Sequence, residues 1–375
     1  MRVFLQSVLA QLLLNPYIFW RGWQAIPPKK GRRIPFAACF AIELSVYFTG
    51  YFFHKELPDE VMVFILYVCG TWYVSLLYAT MALLAIEAVR LSNRLHPWYP
   101  GWVVSHWRQT KRALFFLVVA GVGGLMYHAY TRVANPVVRH VNITLPKGTG
   151  NYCDSLTVVM MSDLHIGEII GKDMVRKYVS LSNEQHPDLV VLAGDLLDYE
   201  SLFAENERIE DDLQQLKVPL GVYAVNGNHE YRANRHAKTK WIQKTGITLL
   251  VDSTVLINGS FYLTGRDDFI NRSRRPLRAL VKDLDRGKPL IVLDHQPWSF
   301  DEMTMNGVTL GLHGHTHNGQ LWPYPLLMKF IYECPYGYYR KGNTQFYVSS
   351  GIGIAGPPYR VGTVSELVVL HILFI

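Results

Sequence analysis

The chain has 375 residues, 49% of them hydrophobic, and a formal net charge of +7. Before Ala134 there are 13 Lys/Arg against 5 Asp/Glu, and from Ala134 onward 24 against 25, so the basic excess belongs to the first third alone. A balanced remainder lacks the cationic footprint of a phosphate-backbone binder, and no nucleic-acid partner is expected.

The first third reads as a membrane unit. Apolar runs cover residues 3–20, 34–53, 61–86 and 113–130, and crossing a bilayer takes about 20 mostly apolar residues. The first run is the weakest, because it holds Gln6, Gln11, Asn15 and Pro16; it either spans or lies at the interface. The expectation is a four-helix transmembrane anchor over 1–133. No small-residue cleavage site follows the first run, which argues against a removed signal peptide. Glu43, inside the second run, is either a functional intramembrane carboxylate or a pairing residue of the bundle. The first loop carries Arg21, Lys29, Lys30, Arg32 and Arg33, and the third carries Arg90, Arg94, Arg108, Lys111 and Arg112. Both loops are therefore expected on the cytoplasmic side, leaving the C-terminal part extracytoplasmic. Trp20, Trp23, Trp98, Trp102 and Trp107 fit an aromatic belt.

Residues 134–150 read as a linker, and the pattern changes from about Asn151. Short apolar runs at 156–161, 189–192, 222–225, 290–293 and 308–312 alternate with helical stretches such as 173–185 and 204–217. This predicts an α/β domain over 151–375 with buried strands. Each run ends in a polar cluster: Ser-Asp-Leu-His, Gly-Asp-Leu-Leu-Asp, Asn-Gly-Asn-His-Glu, Asp-His-Gln-Pro and His-Gly-His-Thr-His. Ligands of such sheets bind beyond the carboxyl ends of the strands. The clusters supply Asp163, His165, Asp195, Asn228, His229, His295, His315 and His317. One metal would leave too many of these donors unused, whereas two metals sharing a carboxylate use nearly all. Mixed nitrogen and oxygen donors suit Mn, Fe, Zn or Co better than Mg or Ca. Gly194, Gly227 and Gly314 precede donors, where tight turns bring the backbone close. His313 reads as an ordinary hydrogen-bonded histidine. The four cysteines form no Cys-x-x-Cys pair, so neither a zinc ribbon nor a thioredoxin-like site is expected. Cys39 and Cys69 lie in apolar runs as packing residues; a Cys153–Cys334 bridge is compatible with the sequence but nothing demands it.

Asp163-Leu164-His165, Gly194-Asp195, Gly227-Asn228-His229-Glu230, His295 and Gly314-His315-Thr316-His317 resemble, in order, the motif set of the calcineurin-like metallophosphoesterases. The stretches 336–342 and 356–360 look like the YkuE/YaeI-type subgroup, whose members are often membrane-anchored or exported. The resemblance implies a four-layer α/β/β/α sandwich and a binuclear centre. One metal would take Asp163, His165, Asp195 and His317; the other would take Asp195, Asn228, His295 and His315, with Asp195 bridging. His229 would be the acid for the leaving oxygen or a donor to the phosphoryl group. Glu230 stands where Asp is commoner and Asp294 where a small residue is usual; with Asp198, they either orient imidazoles or make ordinary loop hydrogen bonds. Arg232, Arg340, Lys341 and Arg360 read as solvated surface charge unless one holds a substrate phosphate. The aromatic loop 322–339 either dips towards lipid or caps the sheet.

The reading is a membrane-anchored phosphoesterase with two divalent metal ions. It would act on a phosphodiester, phosphomonoester or pyrophosphate, in a lipid-linked or envelope substrate. The alternatives are a UDP-2,3-diacylglucosamine-type pyrophosphatase, which favours a cytoplasmic site, and a non-catalytic metal-stabilised sensor or scaffold.

Overall fold

The computed structural model describes residues 7–148 and 154–375. Cys153, and with it the Cys153–Cys334 bridge, lies outside the described residues, as does the beginning of the first apolar run. The chain divides into two compact units, Met1–Thr131 with Gly356–Tyr359, and Arg132–Ala355 with Arg360–Ile375.

In the first unit, three helices among the described residues are long and apolar enough to cross a membrane: Lys30–Phe53, Asp59–Leu95 and Trp107–Ala134. The second has 37 residues, about 55 Å at 1.5 Å per residue, more than a bilayer core. Asp59 and Glu60 open it and Arg94 closes it, each complementing the helix dipole. The first apolar run, the expected fourth span, is not one of these three helices. It is helical but broken by a π-helical turn, Ala10–Leu14, before the helix Asn15–Ala25. Its Gln11 and Asn15 turn inward. Gln11 Nε2 and Asn15 Nδ2 both donate to the Glu43 carboxylate, and Trp72 Nε1 donates to Asn15 Oδ1 at 3.3 Å. Glu43 is thus a pairing residue of the bundle, 3% exposed. The Gly356–Tyr359 segment joins this unit, with Tyr359 Oη 2.5 Å from Thr71 Oγ1.

The second unit holds two six-stranded sheets. The first has the order β1-β12-β2-β3-β4-β5, the second β10-β11-β9-β8-β7-β6. In the first, β1 is Val137–Leu145, β2 Ser155–Met161, β3 Leu189–Leu192, β4 Val222–Ala224, β5 Thr248–Leu249 and β12 Glu366–Phe374. In the second, β6 is Ser253–Ile257, β7 Phe261–Gly265, β8 Leu290–Leu293, β9 Leu310–His313, β10 Gly337–Lys341 and β11 Thr344–Val348. Pairing is parallel except for β12 with β2, β6 with β7 and β10 with β11.

Alternation along the strands explains their uniform apolarity. Val158 and Met160 of β2 enter a core shared by both sheets, while Val159 and Met161 enter a core with the helix-borne Tyr178 and Trp241. On β8, Ile291 and Leu293 join the shared core, and Leu290 and Val292 join Leu277, Val281 and Phe300. With period-two side chains, both faces are covered along Val158–Met161 of β2 and along β8, and every position there is apolar.

Two expectations are corrected. The stretch 204–217 is not one helix but two short ones, Leu202–Asn206 and Ile209–Leu213, separated at Arg208, whose φ is +53°. Within the expected linker, Val137–Leu145 forms β1 and pairs parallel with β12. Its Ile143 and Leu145 are each 1% exposed in the shared core. Ile143→Ala should therefore cost about 2–5 kcal/mol, read as a clear drop in the thermal midpoint of the detergent-purified protein. A linker position would change it within noise.

Candidate metal centre

Five strand ends deliver the candidate donors. β2 runs into Asp163 and His165, β3 into Asp195, β4 into Asn228 and His229, β8 into His295, and β9 into His315 and His317. The loops are unusual in their backbone. Asp163, His165, Asp195, His315 and His317 all have positive φ, between +49° and +74°. Side-chain-bearing residues seldom adopt this conformation, and its clustering marks a functional site. Two glycines make the approach feasible. A Cβ on Gly227 would overlap the Asp195 carboxylate, and one on Gly194, whose φ is +90°, would come within 2.5 Å of His295 Nδ1.

All eight sequence-predicted residues converge. Asp195 Oδ2 lies 3.2 Å from His295 Nε2, 3.7 Å from His165 Nε2 and 4.0 Å from His229 Nε2. On one side, His317 Nε2 is 3.4 Å from Asp163 Oδ1 and 3.0 Å from His165 Nε2. On the other, Asn228 Oδ1 lies 3.3 Å from His295 Nε2 and 2.8 Å from His315 Nδ1. Among the described residues, three groups could hold a metal ion: Asp163, His165 and His317; His165, Asp195 and His229; and Asp195, His295 and His315.

The donor chemistry fits cations. Two imidazole nitrogens 3.0 Å apart can share at most one proton, so at least one of them presents a lone pair to the centre. His295 Nδ1 lies 2.7 Å from the Ala193 carbonyl, a contact only an N–H can make, which turns Nε2 toward Asp195. Such anchoring of the distal nitrogen fixes the tautomer a metal needs. Burial alone would lift the Asp195 carboxyl; the imidazoles of His295, His229 and His165 outweigh it and hold Asp195 well below the usual range. Burial does lift the Asp163 carboxyl. It also pushes His315 down to about 3, with His295 adding to the effect.

Around the donors lies a layer of ties. His229 Nδ1 meets Asp198 Oδ1 at 2.8 Å and the Asp198 carbonyl at 2.9 Å, and Asp198 Oδ1 also lies 3.5 Å from His165 Nδ1. Asp198 therefore orients an imidazole. Glu230 does something different: its carboxylate accepts from the backbone N–H groups of Asp195, Leu196, Leu197 and Gly227 at 2.7–3.1 Å. Asp294 pairs with Arg266 and Arg274 at 3.4 and 3.1 Å, and its carbonyl takes His313 Nδ1 at 2.6 Å. His313 is then an ordinary buried histidine, held near 3 by burial.

Of the four basic residues read as surface charge, Arg360 is the exception. It is fully buried and donates to the carbonyls of Ser350, Gly353 and His317 at 2.6, 2.9 and 3.2 Å. Arg232 Nη1 lies 3.2 Å from His229 Nδ1. Lys341 pairs with Asp301 and Glu333, and Arg340 donates to the Gly342 carbonyl. Sequence reasoning misses Lys238, 1% exposed, whose Nζ donates to the His229 carbonyl at 2.7 Å. Its motif-free helix, Arg235–Lys244, offers nothing that could have found it.

Residues 156–319 match the family model described as calcineurin-like phosphoesterase. An uncharacterized metallophosphoesterase of Aquifex aeolicus is 30% identical over 237 residues, 61% of this chain and 87% of that protein. The chain belongs to the calcineurin-like metallophosphoesterase family. The uncharacterized metallophosphoesterase YkuE of Bacillus subtilis is 28% identical over 70% of this chain and 96% of its own length. A Danio rerio protein named transmembrane protein with metallophosphoesterase domain is 28% identical over 97% of this chain and 87% of its own. Some other curated metallophosphoesterases are matched over 52–66% of their own length.

Within this metallophosphoesterase site, Glu230 is the test of how the Asp195 loop is held. Glu230→Gln keeps the shape but turns an amide NH₂ toward backbone donors. The expected cost is about 2–4 kcal/mol, seen as a lower thermal midpoint together with reduced metal content by elemental analysis.

Proposed function

We propose that the chain is a membrane-anchored phosphoesterase using two divalent cations, of Mn, Fe, Zn or Co, to hydrolyse a phosphodiester, phosphomonoester or pyrophosphate bond. The observation that carries this reading is the placement of Asp195 Oδ2 among three imidazole nitrogens at 3.2–4.0 Å, with further donors on both flanks. In this reading Asp163, His165, Asp195 and His317 hold one cation, and Asp195, Asn228, His295 and His315 hold the other. The pair would supply Lewis-acid charge to the phosphoryl oxygens and to an attacking water.

The chain's own residues do the rest. Asp198 fixes the ring of His229 so that Nε2 points into the centre, where a proton on it can pass to the leaving oxygen. Arg232, beside that ring, is placed to pair with a substrate phosphate. The buried rim keeps bulk water from the donors, which strengthens every charge interaction inside.

The sandwich of four layers is part of the same proposal, supported by one core between the sheets and one core on the outer face of each. So is the anchor, supported by three helices of spanning length, with the first apolar run as the fourth. The charge of the connecting loops supports an extracytoplasmic site, and hence a lipid-linked or envelope phosphate as substrate. Against a non-catalytic scaffold stands His229, which is held in place by Asp198 although it adds nothing to the two four-donor sets.

Hydrolysis of bis-p-nitrophenyl phosphate with added Mn is the direct test. Asp195→Ala should lose both turnover and bound metal. His229→Ala should keep its metal while turnover falls about 10²–10⁴-fold. A wild-type protein that binds metal yet leaves every class of phosphoester intact would instead be a scaffold.

A further inference from the structure

The N-terminal unit contains a cavity of about 520 Å³, within the range of small-molecule sites. One wall is helix 59–95, from Thr71 to Arg90, and the other is helix 107–134, from Trp107 to Met126. Nineteen residues of rise make each wall about 28 Å long, close to the ~30 Å of a bilayer core. Its trunk is hydrocarbon, formed by side chains such as Leu76, Leu83, Leu114 and Val118.

One end is different. Arg21, Arg90 and Lys111 line it together with Trp107. Glu87 pairs with both arginines, and the Arg90 guanidinium lies 5.6 Å from the Trp107 ring centroid. Three cations face one carboxylate, so this end keeps a positive excess. Each guanidinium carries five N–H donors, more than one shared carboxylate can occupy. A neutral hydrocarbon would leave these donors unanswered, and a soluble anion would leave the trunk unfilled. Basic pockets between transmembrane helices are a known setting for anionic headgroups.

We propose that this cavity binds an anionic phospholipid of the bilayer. Its phosphate sits at Arg21, Arg90 and Lys111, and a hydrocarbon chain lies between helices 59–95 and 107–134. The cavity shares no residue with the metal centre, and the proposal stands whether or not that centre hydrolyses phosphoesters.

The test is native mass spectrometry of the full chain in detergent, offered equal amounts of phosphatidylglycerol and phosphatidylcholine with identical acyl chains. Wild type should retain phosphatidylglycerol about tenfold over phosphatidylcholine. Lys111→Gln, which leaves the Arg21–Glu87–Arg90 pairing in place, should lower that preference several-fold. Gly123 lines the cavity, and a Cβ there meets nothing within 4 Å. Gly123→Leu should therefore reduce retention of both lipids without disturbing the fold. Equal retention of the two lipids by wild type, or unchanged phosphatidylglycerol retention in either variant, overturns the proposal.

Discussion

Everything at the centre of this protein follows from the cost of burying carboxylates. Asp163 is 0% and Asp195 2% exposed, and each ion taken from water costs several kcal/mol unless paired and hydrogen-bonded. Backbone amides meet part of the requirement: His315 N–H donates to Asp163 at 3.0 Å and His229 N–H to Asp195 Oδ1 at 2.8 Å. The remaining oxygen of Asp195 faces three imidazoles. Those rings bring lone pairs as well as protons, and that is what separates a cation seat from a salt bridge.

Holding such a centre requires the backbone to bend where side chains resist it. Five donor-bearing residues with positive φ store strain of order 1–3 kcal/mol each, and the surroundings must offset it. Glu230 gathers four amides of the Asp195 and Gly227 loops; Arg360 gathers four carbonyls around His317 and the 350–353 turn. One is a buried anion binding four N–H groups, the other a buried cation binding four C=O groups. Each charge clamps a loop that has no regular ladder of its own.

The donors were legible in the sequence because of this architecture. A strand covered on both faces reads as an unbroken apolar run, so the first polar residues after it stand out, as at Asp163, Asp195 and His295. The clamps were not legible. Arg360 looked like surface charge because its partners are backbone carbonyls, which carry no residue signature, and Lys238 is silent for the same reason. β1 is not legible because the sequence Val-Val-Arg-His-Val-Asn-Ile-Thr-Leu sits at a sheet edge, where exposed positions admit Arg139, His140 and Asn142. The helix expected over 204–217 failed at Arg208, because an amphipathic pattern does not register a single residue turning left-handed.

Buried carboxylates elsewhere sharpen the reading of the centre. Asp294 is 0% exposed and paired with two guanidiniums, which donate only. Glu230 is met by backbone amides, and Glu43 by the amide groups of Gln11 and Asn15, donors oriented toward the carboxylate. In each case the partners bring hydrogens directed at the oxygens, and no lone pair is left for a cation to share. At Asp163 and Asp195 the partners include His165, His295 and His317, and Asn228 adds an amide oxygen 3.3 Å from His295 Nε2. Acceptors gathered around acceptors are unfavourable unless something positive lies between them. That chemical difference, rather than burial itself, is why one set of acidic residues reads as a metal centre while the others read as clamps.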